Sequence, residues 1–273
     1  MSADDHKSVV MCADDYALNA PVSRGIVALA LLGRLSATSV MSLSPRWAED
    51  AAALRDVRER LDVGLHLDWT SDFAKHAGHG ASLNMVMARA AVRGYSQGVL
   101  RDQMHRQFEA FEVQWQFAPD HVDGHQHIQQ FPCFRDALAE VLSSRYGSDL
   151  AKPWVRISKV AQPGLKARVI SAMGATALQN WAEAQAWPTV GPLLGVYGFD
   201  GTVDTYAATM QTWLECAPEV GTSVIMCHPA LSSLSDDAIG AAREREFTYL
   251  AGHDFLSHLA QAGVRLVRGR GRT

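Results

Sequence analysis

Short runs of apolar residues alternate along the chain with longer segments in which apolar residues recur every three or four positions. Short runs with few polar positions are typical of strands that are buried on both faces. Recurrence at three and four positions indicates helices with one buried face. The runs that predict strands are Ser8–Ala13, Ala37–Met41, Leu61–Leu67, Trp154–Ile157, Ser223–Cys227 and Val264–Val267.

The segments between these runs predict helices. Gly195–Phe199 predicts one further weak strand, and Pro188–Leu194 is interpreted as a loop. The clearest helical segment has an apolar stripe that we interpret as core; its members are Leu100, Met104, Phe108, Phe111 and Trp115. Helices are predicted over residues 19–33, 47–60, 98–117, 132–142, 164–186, 204–214 and 243–262.

Strands that alternate with helices predict a mostly parallel sheet, because each right-handed crossover carries a helix back over the sheet. No repeat, linker or composition break divides the chain, so we expect one α/β domain over residues 1–273, with a core at about 8–268. With about seven parallel strands, a single-domain, distorted, TIM-barrel-like (β/α) barrel is the best match. An open doubly wound sheet is the alternative.

Composition removes several classes of function. The 273 residues include 25 basic and 29 acidic side chains, a formal net charge of -4, without the basic stripe of a nucleic-acid-binding protein. We interpret the basic C-terminal residues Arg265, Arg268, Arg270 and Arg272 as a solvated end. No segment approaches the roughly 18 consecutive apolar residues that a membrane span needs.

The cysteines at positions 12, 133, 216 and 227 are too widely spaced for a disulfide framework, which favours a reducing compartment. The N-terminal residues are polar and lack the apolar segment of a signal peptide. We therefore expect a cytoplasmic protein without a membrane span. The sequence leaves the oligomeric state open, and a homodimer is one of the alternatives.

The segment Asp120–His127 concentrates three histidines and two carboxylates. In an extended segment, His121, Asp123, His125 and His127 would all point to one face, because strand side chains alternate. Imidazole nitrogen and carboxylate oxygen are ligands of zinc and similar divalent ions. The alternative is a solvated loop that happens to be rich in histidine.

Other acids and histidines lie at the carboxyl ends of predicted strands. They are Asp14, Asp15, His66, Asp68 and His228. Each has an ordinary interpretation, as a turn acid, a core histidine or a residue before a turn. In barrel and doubly wound folds, however, the carboxyl ends of the strands meet at the active site. Together with the histidine-rich segment, these residues predict one shared metal site.

These residues stand in motifs that resemble the ChbG/HpnK (YdjC-like) family of carbohydrate deacetylases, and the similarity spans nearly the whole chain. The motifs are Ala13-Asp14-Asp15-Tyr16, Gly64-Leu65-His66-Leu67, Asp123-Gly124-His125-Gln126-His127 before Phe131-Pro132, Cys227-His228-Pro229 and, more weakly, Arg243-Glu244-Arg245-Glu246 before Tyr249-Leu250. Four motifs in the right order are more specific than any one of them.

The resemblance implies a distorted parallel barrel that removes the acetyl group from an N-acetylated sugar, an oligosaccharide or a glycolipid head group, with one divalent metal ion. Carried over to this chain, Asp15, His66 and His125 bind the metal, Asp14 is the base and His228 the acid. The chain also departs from the family. Gln129 stands where another histidine is frequent, Ala230 where glycine is, and Tyr16 where phenylalanine is. We expect the change at Gln129 to alter the mouth of the site.

Several further residues are candidates for contact with the substrate or with the metal ligands. Asp123 and His127 are metal ligands, supports of His125 or substrate contacts, and Asp68 is a substrate or support residue. Arg156 orients a ligand or a sugar hydroxyl, or forms a buried ion pair with an acid. Trp69 stacks on a sugar ring or packs in the core. We expect a structural role for His121.

The identity of the metal and the reaction class have alternatives. Two imidazoles and one carboxylate favour zinc or a similar ion, whereas family descriptions name magnesium, which prefers oxygen ligands. A phosphoesterase on the same scaffold would use the same residue types. A non-catalytic sugar-binding protein would keep the pocket and lack turnover.

Overall fold

The computed structural model describes residues 6–148, 151–161 and 164–269, and within them one sheet of nine strands is paired in parallel throughout. The hydrogen-bonded order is β6-β5-β4-β3-β2-β1-β8-β7, and β9 pairs with the first residues of β1. The strands are β1 (Lys7–Tyr16), β2 (Ala37–Val40), β3 (Asp62–Leu67), β4 (His121–Gly124), β5 (Trp154–Arg156), β6 (Thr189–Val190), β7 (Leu193–Leu194), β8 (Thr222–Cys227) and β9 (Val264–Leu266).

The sheet curls into a distorted barrel, as predicted. β6 and β7 lie at opposite ends of the strand order, yet only Gly191 and Pro192 separate them in the chain. The Leu193 amide donates to the Lys159 carbonyl at 2.9 Å, and the Ala161 amide donates to the Leu193 carbonyl at 3.1 Å. The chain beyond β5 therefore pairs with β7 and joins the two ends of the sheet.

Helices connect the strands and cover the outer face of the sheet. They are α1 (Ala20–Leu31), α2 (Trp47–Arg55), α3 (Asp72–His76), α4 (Leu83–Ala91), α5 (Gln97–Trp115), α6 (Phe134–Tyr146), α7 (Leu165–Ala172), α8 (Ala175–Ala184), α9 (Val203–Cys216), α10 (Gly240–Ala251) and α11 (His253–Gln261), with a 3₁₀ helix at His125–Gln130. None of the helices in the described ranges combines the length and apolarity needed to cross a bilayer.

Alternation along the strands divides the interior into two layers. On β1, Val9 and Met11 belong to the large apolar core shared with the helices, including the predicted stripe of α5. Val10 and Cys12 belong to a smaller cluster on the opposite face of the sheet, inside the curl. On β3, β4 and β5 that inner face carries polar side chains instead, namely His66, His121, Asp123 and Arg156, all of them buried. The inside of the curl is therefore where buried polar side chains gather.

Several predicted elements differ from the structure. The segment predicted as a loop, Pro188–Leu194, contains β6 and β7, whereas the strand predicted at Gly195–Phe199 is absent from the described residues. Gly195 has a φ of 98°, which is incompatible with an extended strand. The helix predicted over residues 243–262 is two helices, which meet at Gly252.

The C-terminal segment closes the amino end of the curl. Arg268 Nε donates to Asp62 Oδ1 at 2.7 Å, and the Gly269 amide donates to Asp62 Oδ2 at 2.8 Å. The interpretation of Arg268 as a solvated residue is therefore wrong, because its charge is partly buried against an acid. Arg270 and Arg272 lie outside the described residues, as do the ends of the domain predicted over residues 1–273.

Candidate metal centre

A bulge at the end of β1 brings two neighbouring carboxylates to the same end of the sheet. Adjacent residues of a regular strand point to opposite faces. Here the pairing register shifts between Ala13 and Tyr16, and Asp15 has a left-handed φ of 67°. Aspartate tolerates this conformation better than most residues. As a result, Asp14 points inside the curl while Asp15 reaches the ends of β3 and β4.

Asp15, His66 and His125 converge on one point. Asp15 Oδ1 lies 3.1 Å from His125 Nδ1 and 3.5 Å from His66 Nε2. One ligand atom from each residue lies within 4.8 Å of the others. Asp15 and His66 are buried, and His125 is partly exposed. One carboxylate oxygen and two imidazole nitrogens in this arrangement fit a divalent metal ion.

Asp123 holds the ring of His66. His66 Nδ1 lies 2.6 Å from Asp123 Oδ1, which leaves Nε2 facing Asp15. Metal-binding histidines commonly have such a carboxylate on their second nitrogen, which fixes the ring and increases its basicity. Burial lowers the pKa of His66, but the carboxylates of Asp123 and Asp14 outweigh it and raise that pKa to about 9. Asp123 therefore contacts His66 on the nitrogen opposite Asp15, and it also belongs to another group of potential ligands, with Asp14 and His66.

Arg156 forms the buried ion pair anticipated as one of its two roles. Its two terminal nitrogens each donate to one oxygen of Asp14 at 2.7 Å. Nη2 also lies 2.6 Å from Asp123 Oδ2 and 2.9 Å from the sulfur of Cys12. Burial raises the pKa of Asp14, but the Arg156 guanidinium outweighs it and holds that pKa below its usual value. Asp14 is therefore ionised at neutral pH, in a fixed orientation.

Beneath this pair lies a second group of potential ligands, Cys12, His121 and Asp123, which also come within 4.8 Å of one another. The Arg156 guanidinium already supplies a cation to Cys12 and Asp123. Burial raises the pKa of the Cys12 thiol well above its usual value. The ring of His121 stacks on Trp154 with 4.2 Å between centroids. These features agree with the predicted structural role of His121.

The histidine-rich segment is extended only as far as Gly124. Gln126 and His127 both have left-handed φ values, 56° and 63°, and they form part of the 3₁₀ helix. The hypothesis that His125 and His127 share one strand face is therefore wrong. His127 is buried, and its Nδ1 lies 3.1 Å from the Ser158 hydroxyl. Burial and the charge of Arg156 lower the pKa of His127 to about 3.

Gln129 is fully buried beneath His127, not at the mouth of the site. Its amide nitrogen donates to the Ser158 hydroxyl at 3.0 Å and to the Arg156 carbonyl at 3.3 Å. The residue that departs from the family pattern therefore lies beside His127, and both residues contact the hydroxyl of Ser158. The expectation that Gln129 alters the mouth directly is not supported by its burial.

Asp68 and Trp69 both lie in the loop after β3. Asp68 Oδ1 accepts hydrogen bonds from the amides of Thr70 and Ser71, both at 3.0 Å. Trp69 is buried, and its ring packs edge-on against His79 and Phe134. This environment favours the packing role of Trp69 over stacking on a sugar.

His228 follows β8 on another side of the same end. Burial lowers the pKa of His228 to about 4, although the carboxylates of Asp15 and Asp14 oppose this shift. The edge of its ring meets Phe199, with 5.3 Å between centroids. Its backbone amide donates to the carboxylate of Glu246. His228 therefore lies in the electrostatic field of the two aspartates.

Two buried residues of α10 complete the arrangement, and neither received a role from the sequence. Arg243 Nη2 donates to Asp15 Oδ2 at 2.8 Å, so the other oxygen of Asp15 remains directed at the histidines. Glu246 accepts from the Tyr197 hydroxyl at 2.6 Å in addition to the His228 amide. The available signal was the charged run at positions 243–246, which interrupts a helical apolar pattern.

A sequence profile described as YdjC-like protein matches residues 8–261. A carbohydrate deacetylase of Mus musculus is 25% identical over 296 residues, covering 94% of this chain and 92% of the mouse protein. A protein of Enterococcus faecalis V583, titled as a proposed cellobiose-phosphate cleavage protein, superposes with a TM-score of 0.72 at 17% identity, covering 97% of this chain and 98% of that chain. A CE4 esterase of Streptococcus mutans superposes with a TM-score of 0.52 at 11% identity, covering 97% and 87% of the two chains. These two structural similarities concern the fold.

Proposed function

The chain belongs to the YdjC-like family, and from this premise we propose that it is a metal-dependent hydrolase that removes the N-acetyl group from an N-acetylated sugar. The observation that carries the proposal is the convergence of Asp15, His66 and His125 beside the ionised carboxylate of Asp14. The mouse relative, a carbohydrate deacetylase, supports the substrate class. The sugar is an oligosaccharide or a glycolipid head group.

In this proposal Asp15, His66 and His125 hold one divalent ion. A bound ion of this kind supplies Lewis acidity, lowering the pKa of water and polarising a carbonyl. Because two of the three ligands are imidazoles, zinc or a similar transition ion suits the site better than magnesium. Asp123 and Arg243 keep His66 and Asp15 in orientation through the hydrogen bonds on their other sides.

Asp14 is the base of the proposed reaction. Its carboxylate is ionised, and Arg156 holds both of its oxygens, so it can accept a proton from water without reorienting. Proton transfer to a positioned base is typically worth about 10²–10⁴ in rate. Arg156 lowers the pKa of Asp14 and so makes it a weak base. A weak base can accept a proton from water whose own pKa a bound ion would lower.

His228 is the acid of the proposed reaction. Its ring is neutral at pH 7, because its pKa is lowered to about 4, so it must gain a proton before it gives one to the departing amine. The carboxylates of Asp14 and Asp15 stabilise the imidazolium that forms. Overall, the hydroxyl of water joins the acetyl carbon, the carbon–nitrogen bond breaks, and the amine nitrogen gains a proton.

An acetate-release assay tests this proposal. The metal-loaded protein is incubated with N-acetylglucosamine oligosaccharides and with glycolipids that carry an acetylated amino sugar, and elemental analysis identifies the bound metal. We expect acetate from at least one substrate, and loss of that activity on chelation. Metal-loaded protein that releases no acetate from any substrate would contradict the proposal. Faster turnover of a simple phosphate ester would favour the phosphoesterase alternative, and sugar binding that survives Asp14→Asn without any turnover would favour a binding protein.

A further inference from the structure

Four consecutive charged residues of α10 bind segments at the carboxyl end of the sheet. We call Arg243, Glu244, Arg245 and Glu246 the α10 clamp. Arg243 donates to Asp15 at 2.8 Å and, through Nε, to Asp237 at 2.7 Å. Glu244 accepts from the amide of Ser233, and Arg245 donates to the carbonyl of Phe199 at 2.9 Å.

Glu246 is the most deeply buried member of the α10 clamp, with none of its surface exposed. Its two oxygens accept one hydrogen bond each, from the Tyr197 hydroxyl and from the His228 amide. Burial raises the pKa of its carboxyl group to about 7. An acid buried on two hydrogen bonds reduces the stability of a fold, so its presence calls for a reason other than stability.

The position of the His228 amide supplies that reason. Pairing of β8 with β1 ends at Cys227, so the amide of His228 lies beyond the last paired residue of the strand. The next residue, Pro229, has no amide hydrogen and cannot anchor the backbone in its place. Glu246 accepts this amide, and the amide of Ala230 donates to the Arg243 carbonyl at 3.1 Å, so α10 holds the backbone on both sides of Pro229 and Glu246 holds the residue that carries the imidazole.

We propose that Glu246 is a positioning residue for His228, which it holds at a set distance from Asp15. The inference rests on the proposed function for the role of His228. Glu246 follows Arg243 by three positions, so the two side chains project from neighbouring turns of one helix. Arg243 binds the carboxylate of Asp15, and Glu246 binds the backbone of His228. A single rigid helix thereby relates a proposed metal ligand to the proposed acid.

Substitutions at Glu246 test the proposal. Glu246→Ala removes the acceptor, and a displacement of about 1 Å in a reacting group can cost about 10²-fold in rate. We expect kcat to fall by about 10- to 100-fold, with KM and the metal Kd unchanged. Glu246→Gln keeps a carbonyl oxygen for the His228 amide, so it should restore most of the loss. Glu112→Ala is the control, because Glu112 also accepts a hydrogen bond from a tyrosine hydroxyl, that of Tyr146, but contacts α6 instead of the backbone of His228.

A double-mutant cycle separates positioning from general support of the fold. In a His228→Ala background there is no imidazole to position, so Glu246→Ala should cost no further activity. Equal losses in both backgrounds, or a parallel loss of metal binding, would overturn the proposal. A kcat of Glu246→Ala equal to that of the wild type would also overturn the proposal.

Hydrogen exchange of the His228 amide gives a readout that needs no substrate. In the wild-type protein this amide should be protected, and in Glu246→Ala it should exchange about 2- to 10-fold faster, as expected for the loss of a buried hydrogen bond. Unchanged exchange would overturn the proposal even if no substrate had been found. A wild-type protein that releases no acetate, but in which the exchange rate responds to Glu246, would instead contradict the proposed function alone.

Discussion

At each end of the curled sheet a buried aspartate meets an arginine, but the bonding of the two aspartates differs. At the amino end, Asp62 accepts from Trp154 Nε1 at 3.0 Å, from Arg268 Nε at 2.7 Å and from the Gly269 amide at 2.8 Å. At the carboxyl end, Arg243 takes one oxygen of Asp15, and the other oxygen faces two imidazoles. Both oxygens of the first carboxylate accept from donors of the chain, whereas one oxygen of the second faces two imidazoles, where we propose the metal ion.

The backbone conformation also differs between the two ends of the sheet. Among the described residues, left-handed φ values of non-glycine residues are more frequent at the carboxyl end. They occur there at Asp15, near the end of β1, and after strands at Ala17, Gln126, His127 and Phe199, whereas at the amino end they occur after helices at Gln116 and Ala186. Such conformations cost of order 1–3 kcal/mol each and persist where the surrounding structure enforces them. We infer that the amino end is built for closure, and that the carboxyl end gives up stability to aim side chains at one point.

The largest expected difference between the two ends is chemical. Asp14→Asn removes the proposed base, so kcat should fall by about 10²–10⁴-fold, while bound metal stays near the wild-type level because Asp14 is not among the proposed ligands. The same change at the amino end, Asp62→Asn, should leave kcat unchanged. Steady-state acetate release and elemental analysis of both variants measure this. Equal kcat for Asp14→Asn and wild type would remove Asp14 from the mechanism.

A smaller effect is expected for the support of a ligand. Asp123→Asn weakens the hold on the His66 ring, and loss of such a carboxylate typically costs about 10- to 100-fold in metal affinity. The Kd of the metal, measured by competition with a chromophoric chelator, tests this. Ser158→Ala is a suitable control, because Ser158 contacts His127 rather than a proposed ligand. A Kd unchanged by Asp123→Asn would mean that Asp123 serves only Arg156.

The charge of His66 also predicts a pH dependence for the metal-free protein. The folded-state pKa of His66 is raised to about 9, above an unfolded value of about 6.5. Its contribution to stability is therefore fully present below pH 6.5 and is lost as the pH rises toward 9. The Tm of the chelator-treated protein should fall across this window, and the fall should be weaker in Asp123→Asn. An identical pH profile for the two proteins would contradict the assignment.

How far the sequence could predict this site follows from the range of each signal. Asp14, Asp15, His66 and His125 lie at or just beyond the carboxyl ends of buried strands, and parallel strands bring these ends together, so their convergence could be predicted. Arg243 could not be paired with Asp15, because 228 positions separate them and no local pattern links them. The turn at Gln126 and His127 was also hidden, because neither residue is the glycine or asparagine that marks left-handed backbone.

The fold shows the same limit. The number of strands was underestimated because β6 and β7 contain two residues each, too few for any periodicity. The burial of Trp69 was equally hidden, because an aromatic residue in a loop has no periodic neighbours to reveal which side it faces. Tertiary contacts with His79 and Phe134 decide its environment.

At the amino end the expected effect is on stability alone. The carboxylate of Asp62 accepts hydrogen bonds from Trp154, Arg268 and the Gly269 amide. Asp62→Asn removes its charge and replaces one accepting oxygen with an NH₂ group, which faces N–H donors. Leaving a buried hydrogen-bonding group unsatisfied costs about 1–3 kcal/mol. Chemical denaturation should report a loss of this size in the free energy of unfolding. A wild-type free energy of unfolding would show that the C-terminal segment closes the curl without stabilising it.

The smallest expected effect concerns the aromatic residues of the two ends. Trp154 stacks on His121 and is fully buried, whereas Phe199 is partly exposed beside His228, so of these two rings that of Phe199 is the one we expect a sugar to contact. An aromatic contact is worth about 0.5–1.5 kcal/mol, which corresponds to about 2- to 10-fold in binding. Phe199→Ala should raise KM by this factor and leave the metal Kd unchanged, whereas Phe199→Trp should keep KM near the wild-type value. A KM that does not respond to Phe199→Ala would mean that the substrate approaches His228 from another side, and that the left-handed backbone at Phe199 serves only the packing of its ring.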